Sequence, residues 1–181
     1  MPKPKAFDIS PNTYVIRHAR PADLEALPAV EVRSSALFAE VGLKEIAEHE
    51  PGDVEFLEAF LRAGAVHVAV SDRGEPVGFG LTGLLDGCAH LYELAVDPAH
   101  GKRGLGAKLV AAGCAYGISK GCRAITLSTF RDLPWNGPFY ARLGFSEVTR
   151  PNWTPGMHVL HAREMDMHLP VERRFFMRKD F

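Results

Sequence analysis

The stretch from Leu91 to Val110, LYELAVDPAHGKRGLGAKLV, constrains the fold of this chain more than any other segment. An apolar, strand-like run ends at Asp97-Pro98, passes through a basic, glycine-rich turn and enters a helix at Gly104. Cations are disfavoured at a helix N-terminus, where the backbone dipole is positive. Lys102 and Arg103 at that point indicate either a solvated loop or a backbone cradle that holds a polyanion, such as a phosphorylated ligand.

The composition excludes several classes of protein. A chain of 181 residues with 46% hydrophobic and 24% charged residues is typical of one soluble domain. Its net charge of −1 gives no general attraction for nucleic acid. The sequence contains no apolar run of about 18 residues, so no membrane span is predicted. Residues 1–12 lack the apolar core of a secretory signal and are predicted to be an N-terminal tether. Without CxxC spacing, Cys88, Cys114 and Cys122 are interpreted as reduced thiols of a cytoplasmic protein.

Hydrophobic periodicity predicts an α/β (α+β) fold with one domain. The pattern indicates a mixed, mostly antiparallel sheet that contains one parallel βαβ unit, with helices on both faces. Pro28 is expected to break or kink the first helix. The predicted segments are a strand over residues 14–18, helices within 20–64, an antiparallel meander over 65–71, 76–85 and 88–96, a helix over 104–120 and a parallel strand over 124–130.

The C-terminal third has weaker signals. A last strand is predicted over Met157–Met167, where His158 and His161 would lie on opposite faces, so we expect no metal site. The basic, aromatic segment Arg173–Phe181 is predicted to be an edge segment or mobile. These signals divide the chain into a domain over residues 13–169 and a basic tail over residues 170–181.

A second glycine-rich segment, Gly78–Gly83, matches the GxGxxG pattern of dinucleotide-binding proteins. It lies inside a strand pattern and is followed by the Asp86-Gly87 turn where a dinucleotide-binding unit needs a helix. Its glycines therefore indicate a bulge or a close approach of two backbones. The chain also lacks the GxxxxGK[ST], GxSxG and HExxH motifs.

Two segments together resemble a known family. The run from Leu94 to Pro98, followed by Gly101-Lys102-Arg103-Gly104-Leu105-Gly106, resembles the acyl-CoA-binding motif Gln/Arg-x-x-Gly-x-Gly/Ala of the GNAT superfamily of N-acyltransferases. The later segment NGPFYARLGF, residues 136–145, resembles its second signature, an Asn-led helix that ends in Tyr-x-x-x-Gly-Phe. Gly101 stands where the family has Gln or Arg, so Lys102 or His100 is the candidate replacement for that contact to the pyrophosphate.

The resemblance implies that an acetyl group passes directly from acetyl-CoA to a primary amine, without a metal. Substrates would enter between the strands Leu91–Val96 and Ala124–Phe130. The implied cofactor-binding residues are Leu94, Val96, Gly101, Lys102, Arg103, Gly104, Leu105, Gly106, Ala107, Asn136, Phe139 and Tyr140.

Three catalytic roles follow from the resemblance. Glu93 is the candidate base, because partial burial raises the pKa of a carboxylate, and the alternative is a solvent-facing strand residue. Strand alternation puts Tyr92 and Glu93 on opposite faces unless a bulge intervenes. The N–H of Val96 is the candidate oxyanion donor. Tyr140 is the candidate acid for the thiolate or an aromatic core residue, and Asn136 contacts the pantetheine or caps a helix.

The acceptor is the least specified substrate. Residues 40–58 carry seven acids against Lys44 alone, which would attract a cationic amine or simply form a solvated face. A small cationic amine, a polyamine and a protein or peptide amine each fit. Two other functions are also consistent with the motifs: a non-catalytic acyl-CoA-binding sensor or interaction module, and a phosphate-ligand protein unrelated to CoA. The resemblance also implies a homodimer, in which the edge strands near both ends would be covered. The acids are Glu40, Glu45, Glu48, Glu50, Asp53, Glu55 and Glu58.

Overall fold

The structure, a computed structural model, describes residues 14–181, so the predicted tether over residues 1–12 lies outside the described residues. Within that range the strands form one sheet in the order β1-β2-β3-β4-β5-β7-β6. Each neighbouring pair is antiparallel apart from β4 and β5, which are parallel, as the sequence predicts. The strands are β1 (Val15–His18), β2 (Val66–Val70), β3 (Pro76–Leu85), β4 (Cys88–Val96), β5 (Ala124–Phe130), β6 (Ser146–Val148) and β7 (Arg174–Asp180).

Helices cover both faces of the sheet, which confirms the predicted architecture. On one face α4 buries Leu109 and Val110 against the strands. On the opposite face α1 and α3 bury Leu27 and Leu57 against the other side of β2 and β3, and α6 lies over the far half of the sheet. The helices are α1 (Leu27–Ala39), α2 (Lys44–Ala47), α3 (Val54–Arg62), α4 (Leu105–Ser119), α5 (Gly137–Arg142) and α6 (Pro155–Asp166).

Two glycines bring α4 unusually close to the sheet. A Cβ at Gly113 would lie 2.7 Å from Thr82 Oγ1, and one at Gly117 would lie 2.7 Å from Ala89 Cβ. Both distances are shorter than van der Waals contact, so only glycine allows this packing. The close approach packs the middle and the end of α4 directly on β3 and on the start of β4.

Replacing Gly113 with valine is expected to lower the free energy of unfolding by about 2–3 kcal/mol, because the added carbons must displace buried groups of the sheet. The matched control is Ala111→Val on the exposed side of the same helix, where helix propensity alone costs about 0.5 kcal/mol. Urea unfolding followed by circular dichroism measures both values. Equal effects of the two substitutions would contradict the packing at Gly113.

Pro28 does not break a helix, contrary to the sequence prediction. A 3-10 helix covers Pro21–Ala26, and Pro28 then occupies the first turn of α1. A first-turn residue has no intrahelical N–H bond to lose, so proline is tolerated there. The chain therefore runs as a helix through to Ala39.

The predicted strand over Met157–Met167 is wrong, since these residues belong to α6. Pro155 in the first turn starts the helix. Gly156 lies against the β3–β4 turn, where its N–H donates to the Asp86 carboxylate at 2.7 Å. Trp153, just before the helix, packs edge-on against Phe176 of β7 with the ring centroids 4.9 Å apart.

The prediction of an edge or mobile segment over Arg173–Phe181 is also wrong. Strand β7 lies between β5 and β6 and pairs with both. Phe176 and Met177 are buried on its two faces. Strand β7 is an interior strand because β5 pairs with one of its edges and β6 pairs with the other.

Candidate functional site

Strands β4 and β5 separate before either of them ends. They pair at Ala89 with Ile125 and at Leu91 with Leu127, and the pairing stops there although both strands continue. On its other edge β4 carries a bulge, since Leu81 lies opposite Glu93 while Thr82 lies opposite Leu91. A bulge bends the strand that holds the extra residue. We call the resulting opening between the ends of β4 and β5 the gap.

Backbone groups of both strands face the gap. The N–H of Asp97 donates to the carbonyl of Val77 on β3 at 2.9 Å. Because backbone groups alternate along a strand, the N–H of Val96 points to the opposite edge, toward the gap. On β5, the N–H of Arg131 donates to Arg173 at 2.9 Å, so the carbonyl of Ser128 likewise points toward the gap.

The basic turn between β4 and α4 forms a cradle of backbone donors. Lys102 and Gly104 adopt left-handed conformations, with φ of 58° and 74°. Helix α4 then begins at Leu105 without a side-chain cap. No described residue accepts a hydrogen bond from the N–H groups of residues 104–107. Four free donors at the positive end of a helix suit an anionic ligand.

The cations of this turn lie at its surface. Lys102 and Arg103 are exposed. The guanidinium of Arg103 lies 5.7 Å from the centre of the Tyr14 ring, and the Tyr14 hydroxyl is 2.9 Å from His100 Nδ1. Because that hydrogen bond engages His100, Lys102 is the better candidate to replace the side chain missing at Gly101.

The second motif lies beside the first. A Cβ at Gly106 would be 3.3 Å from the Phe139 ring and 3.9 Å from Leu94. Helix α5 therefore packs over the start of α4 and the end of β4. Segments that are about thirty residues apart in the sequence form one continuous surface at the gap.

Asn136 occupies the N-cap position of α5, but its side chain makes no capping hydrogen bond, so side-chain capping, one of its two predicted roles, is excluded. Its Oδ1 accepts a hydrogen bond from Thr129 Oγ1 at 2.8 Å. Its Nδ2 is buried and has no hydrogen-bond partner among the described residues. A buried donor without an acceptor is costly, so this amide is suited to an acceptor atom on a ligand.

The bulge brings Tyr92 and Glu93 to the same face of the sheet. The Tyr92 ring lies 5.5 Å from Phe60 of α3, and Glu93 lies opposite Leu81, which is buried under α1 and α3. Strand alternation would have separated these two side chains. The bulge thus provides the exception that the sequence prediction left open.

Glu93 is a half-buried carboxyl group. The pKa of Glu93 is raised to about 7, chiefly by burial and then by the nearby charge of Glu31. The charge of Arg174 and the N–H of Leu94 oppose these effects. A carboxyl group with this pKa exchanges its proton near neutral pH, as a general base requires.

Tyr140 lies in the core beside the gap. Its ring is 5.0 Å from that of Phe139 and 5.7 Å from that of Phe145. Burial raises the pKa of the Tyr140 hydroxyl, the charge of Glu93 adds to the effect and the charge of Arg174 opposes it. The phenol therefore keeps its proton at neutral pH, and both predicted roles of Tyr140, core residue and proton donor, are compatible with its position.

The acids predicted to attract the acceptor are all exposed. A different acid, Glu31 of α1, is partly buried and accepts a hydrogen bond from the N–H of Gly52 at 3.2 Å. Burial raises the pKa of Glu31, against the lowering effects of the Gly52 N–H and the charge of His49. The sequence contains a signal for it, since Leu27, Val30 and Glu31 share one helical face.

Arg174 of β7 is a second charged residue that the sequence analysis missed. Its Nη2 donates to Glu164 Oε1 of α6 at 2.9 Å and contacts the carbonyl of Ser128 at 3.3 Å. Both members of this ion pair are largely buried, at 15% and 13% side-chain exposure. Nothing in the local sequence separates Arg174 from its basic neighbours.

Within residues 14–181, no group of three His, Cys, Asp or Glu side chains is arranged to bind a metal ion. The prediction that His158 and His161 lie on opposite faces of a strand is wrong. They lie on α6, where a spacing of three puts both on one face, and their rings are 5.3 and 5.0 Å from that of Trp153.

None of the described helices is long and apolar enough to cross a membrane.

A protein-family model described as the acetyltransferase (GNAT) family matches residues 16–145. The match spans the strand before α1, the cradle, the gap and the α5 segment. It ends before α6 and β7.

Solved structures with the same fold include three acetyltransferases. The PaiA N-acetyltransferase from Thermoplasma acidophilum, in complex with coenzyme A, is 20% identical with a TM-score of 0.69 and covers 93% of this chain and 99% of its own. A GNAT-family acetyltransferase from Staphylococcus aureus is 18% identical with a TM-score of 0.70, over 93% and 99%. The ribosomal-protein-S18-alanine N-acetyltransferase from Escherichia coli is 18% identical with a TM-score of 0.63, over 93% and 94%.

Proposed function

The chain belongs to the GNAT acetyltransferase family and is an acyltransferase; on that premise we propose that it transfers an acetyl group from acetyl-CoA directly to a primary amine in the gap. The observation that carries this proposal is the position of the Glu93 carboxyl group, which has a pKa of about 7 and lies on the strand that leads into the cradle. The end of β4, residues 93–96, thus connects the proton acceptor to the turn that binds the polyanion.

Several residues support acetyl-CoA as the acyl donor. The free N–H groups of residues 104–107 suit a pyrophosphate, and Lys102 adds a cation at the rim. The unpartnered Nδ2 of Asn136 suits an amide carbonyl such as those of a pantetheine arm. Leu94 and Phe139 supply an apolar wall between these two sites.

Each step of the transfer has a residue suited to it. Glu93 takes a proton from the ammonium group, directly or through water, and the amine nitrogen then forms a bond to the thioester carbonyl carbon. The N–H of Val96 donates to the oxyanion of the tetrahedral intermediate. As the carbon–sulfur bond breaks, Tyr140 gives its proton to the thiolate and regains one from the nitrogen, which loses its second proton as the amide forms. The first proton, taken up by Glu93, leaves to solvent.

The charge at the gap supports an acceptor that is cationic in solution. Glu31 and Glu93 are two partly buried carboxyl groups, and the charge of Glu31 raises the pKa of Glu93. An ammonium group between them would relieve that repulsion. This leaves small amines, polyamines and peptide or protein amines as acceptors. The E. coli neighbour is named for an alanine amine of a ribosomal protein, and this supports including peptides with a free N-terminus in a screen.

Acetyl-CoA and CoA are expected to bind with micromolar affinity in calorimetry, while ATP and NAD⁺ bind much more weakly. Lys102→Gln should raise the Kd of acetyl-CoA about 3–10-fold, because one charge-assisted contact to a phosphate is lost. The matched control is Lys120→Gln at the opposite end of α4, with a change below about 2-fold.

Thiol release in the presence of spermidine and of N-terminally free peptides then distinguishes the functions. Binding with turnover supports a transferase, and binding without turnover across the panel supports the acyl-CoA sensor. Equal affinity for ATP and acetyl-CoA would favour the phosphate-ligand protein. No binding of acetyl-CoA would contradict the proposal.

A further inference from the structure

The guanidinium of Arg174 reaches across β5 to the edge of the gap. Arg174 lies on β7 opposite Phe130, and its guanidinium carbon is 4.9 Å from the centre of the Phe130 ring. Its Nη2 lies 3.2 Å from Ser128 Oγ and 3.3 Å from the Ser128 carbonyl, which points into the gap. Ser128 is the first residue of β5 beyond the last pair with β4. Arg174 therefore lies where the two strands separate.

Glu93 lies on the other side of the same opening. It follows Leu91, the last residue of β4 that pairs with β5, by two positions. The charges that act on it come from two neighbouring elements, Glu31 of α1 and Arg174 of β7. The charge of Glu93 in turn raises the pKa of Tyr140 on α5. Among the described residues, Arg174 is the one cation that influences Glu93.

Glu164 of α6 determines how much of this cation Glu93 experiences. The Glu164–Arg174 contact is 2.9 Å long and both side chains are largely buried. The Arg174 Nε is buried and has no partner among the described residues. A buried guanidinium with a free donor would form a second carboxylate contact if the first were removed. Glu93, on the other strand that borders the gap, is a carboxyl group on which the charge of Arg174 already acts.

We propose that Glu164 and Arg174 form a positioning pair: Glu164 holds the guanidinium on the β5 side of the gap, so that Arg174 moderates the charge of Glu93 without neutralising it. This inference rests on the proposed function, in which Glu93 is the base. An arginine fully paired with Glu93 would block its access to the amine. Without Arg174, the pKa of Glu93 beside Glu31 would rise further, because no nearby cation would favour its charged form.

The pair lies in a part of the chain that the family match does not cover. The matched region ends at residue 145, whereas Glu164 and Arg174 belong to α6 and β7. The C-terminal segment would thus contribute to the chemistry of the gap as well as to the sheet. Its role is electrostatic, because neither residue is proposed to touch the reacting atoms.

Carbon-13 NMR titration of glutamate side-chain carboxyl groups tests the pair directly. The Glu93 signal is assigned by its loss in Glu93→Gln. In Glu164→Gln the midpoint of Glu93 is expected to fall by about 0.5–1 pH unit, and in Arg174→Gln it is expected to rise by a similar amount. Glu147→Gln breaks the exposed Arg131–Glu147 pair, which is 2.7 Å long, and should leave the Glu93 midpoint unchanged.

Opposite shifts distinguish positioning from a structural role. Loss of a merely structural ion pair would lower the melting temperature in both variants without moving the Glu93 midpoint in two directions. Unchanged midpoints, or shifts of the same sign, would overturn the proposal. If Arg174→Gln does not fold, Arg174→Lys keeps the charge, and its midpoint should stay near that of the wild type. The titration needs no acceptor or acetyl-CoA, so its outcome is independent of whether transfer is observed.

Discussion

Glu93→Gln is expected to lower kcat/KM for amine acetylation by about 10²–10⁴-fold, the usual contribution of a general base. In the wild type, kcat/KM should rise with pH as Glu93 loses its proton, with a midpoint near its pKa of about 7. The variant should lose that rise, because glutamine does not titrate. A pH–rate profile measured by thiol release gives both results.

Glu147→Gln is the matched control for this experiment. Glu147 lies on β6 and forms an exposed ion pair with Arg131, so its removal should leave the rate and the pH profile unchanged. A Glu93→Gln variant that retained full activity and the same pH profile would show that another group accepts the proton.

Stability gives a second readout of the same substitution that needs no acceptor. Burial raises the pKa of Glu93 from its ordinary value of 4.5 to about 7, so the folded state holds a proton that the unfolded state has already lost between these two values. Wild-type stability should therefore fall as pH rises through that window. The free energy of unfolding of Glu93→Gln, taken relative to that of the wild type, should therefore be higher at pH 8 than at pH 5. The expected increase is on the order of 1–3 kcal/mol. Thermal unfolding at the two pH values measures the difference.

Tyr140→Phe is expected to lower kcat by about 10²–10³-fold while leaving the Kd of acetyl-CoA within about 3-fold of the wild type. The substitution removes a proton donor and keeps the ring that packs between Phe139 and Phe145. Because burial and the charge of Glu93 raise the pKa of Tyr140, the wild-type hydroxyl remains a donor throughout the working pH range. Steady-state kinetics and calorimetry on the same preparation separate the two effects.

Tyr116→Phe on α4 is the control, since Tyr116 is another buried tyrosine but lies at the far end of the helix from the cradle. Its hydroxyl should be dispensable for turnover. If Tyr140→Phe kept full turnover, Tyr140 would be a core residue, which is the alternative role that its sequence context allows.

Local patterns predicted the elements that surround the gap. Alternating apolar residues identified β2, β3 and β4, the Asp86-Gly87 turn joined two of them, and the crossover through α4 made β5 parallel to β4. The two motifs then indicated where the cradle and α5 would meet. The errors at Pro28 and at α6 have the same origin, since short apolar runs and single prolines are compatible with more than one local structure.

Residues that act through contacts distant in sequence were not predictable in this way. The charges of Glu31 and Arg174 act on Glu93 from two different elements, and Glu164 of α6 pairs with Arg174. The bulge at Tyr92 depends on how β3 and β4 pair. No single segment contains the information for such a meeting, because each contact joins residues that are ten or more positions apart.

By itself, the sequence therefore determined the order of strands and helices from β1 to α5, the parallel β4–β5 pair and the location of the cradle. These features depend on side-chain periodicity, turn residues and helix starts, which are local properties of the chain. The tertiary structure alone decided that β4 bends at Tyr92, that Glu93 is half-buried beside Glu31, and that β7 brings Arg174 to the gap. The reason is physical: the proton affinity of a carboxyl group depends on desolvation and on nearby charges, and both arise only when distant segments pack together.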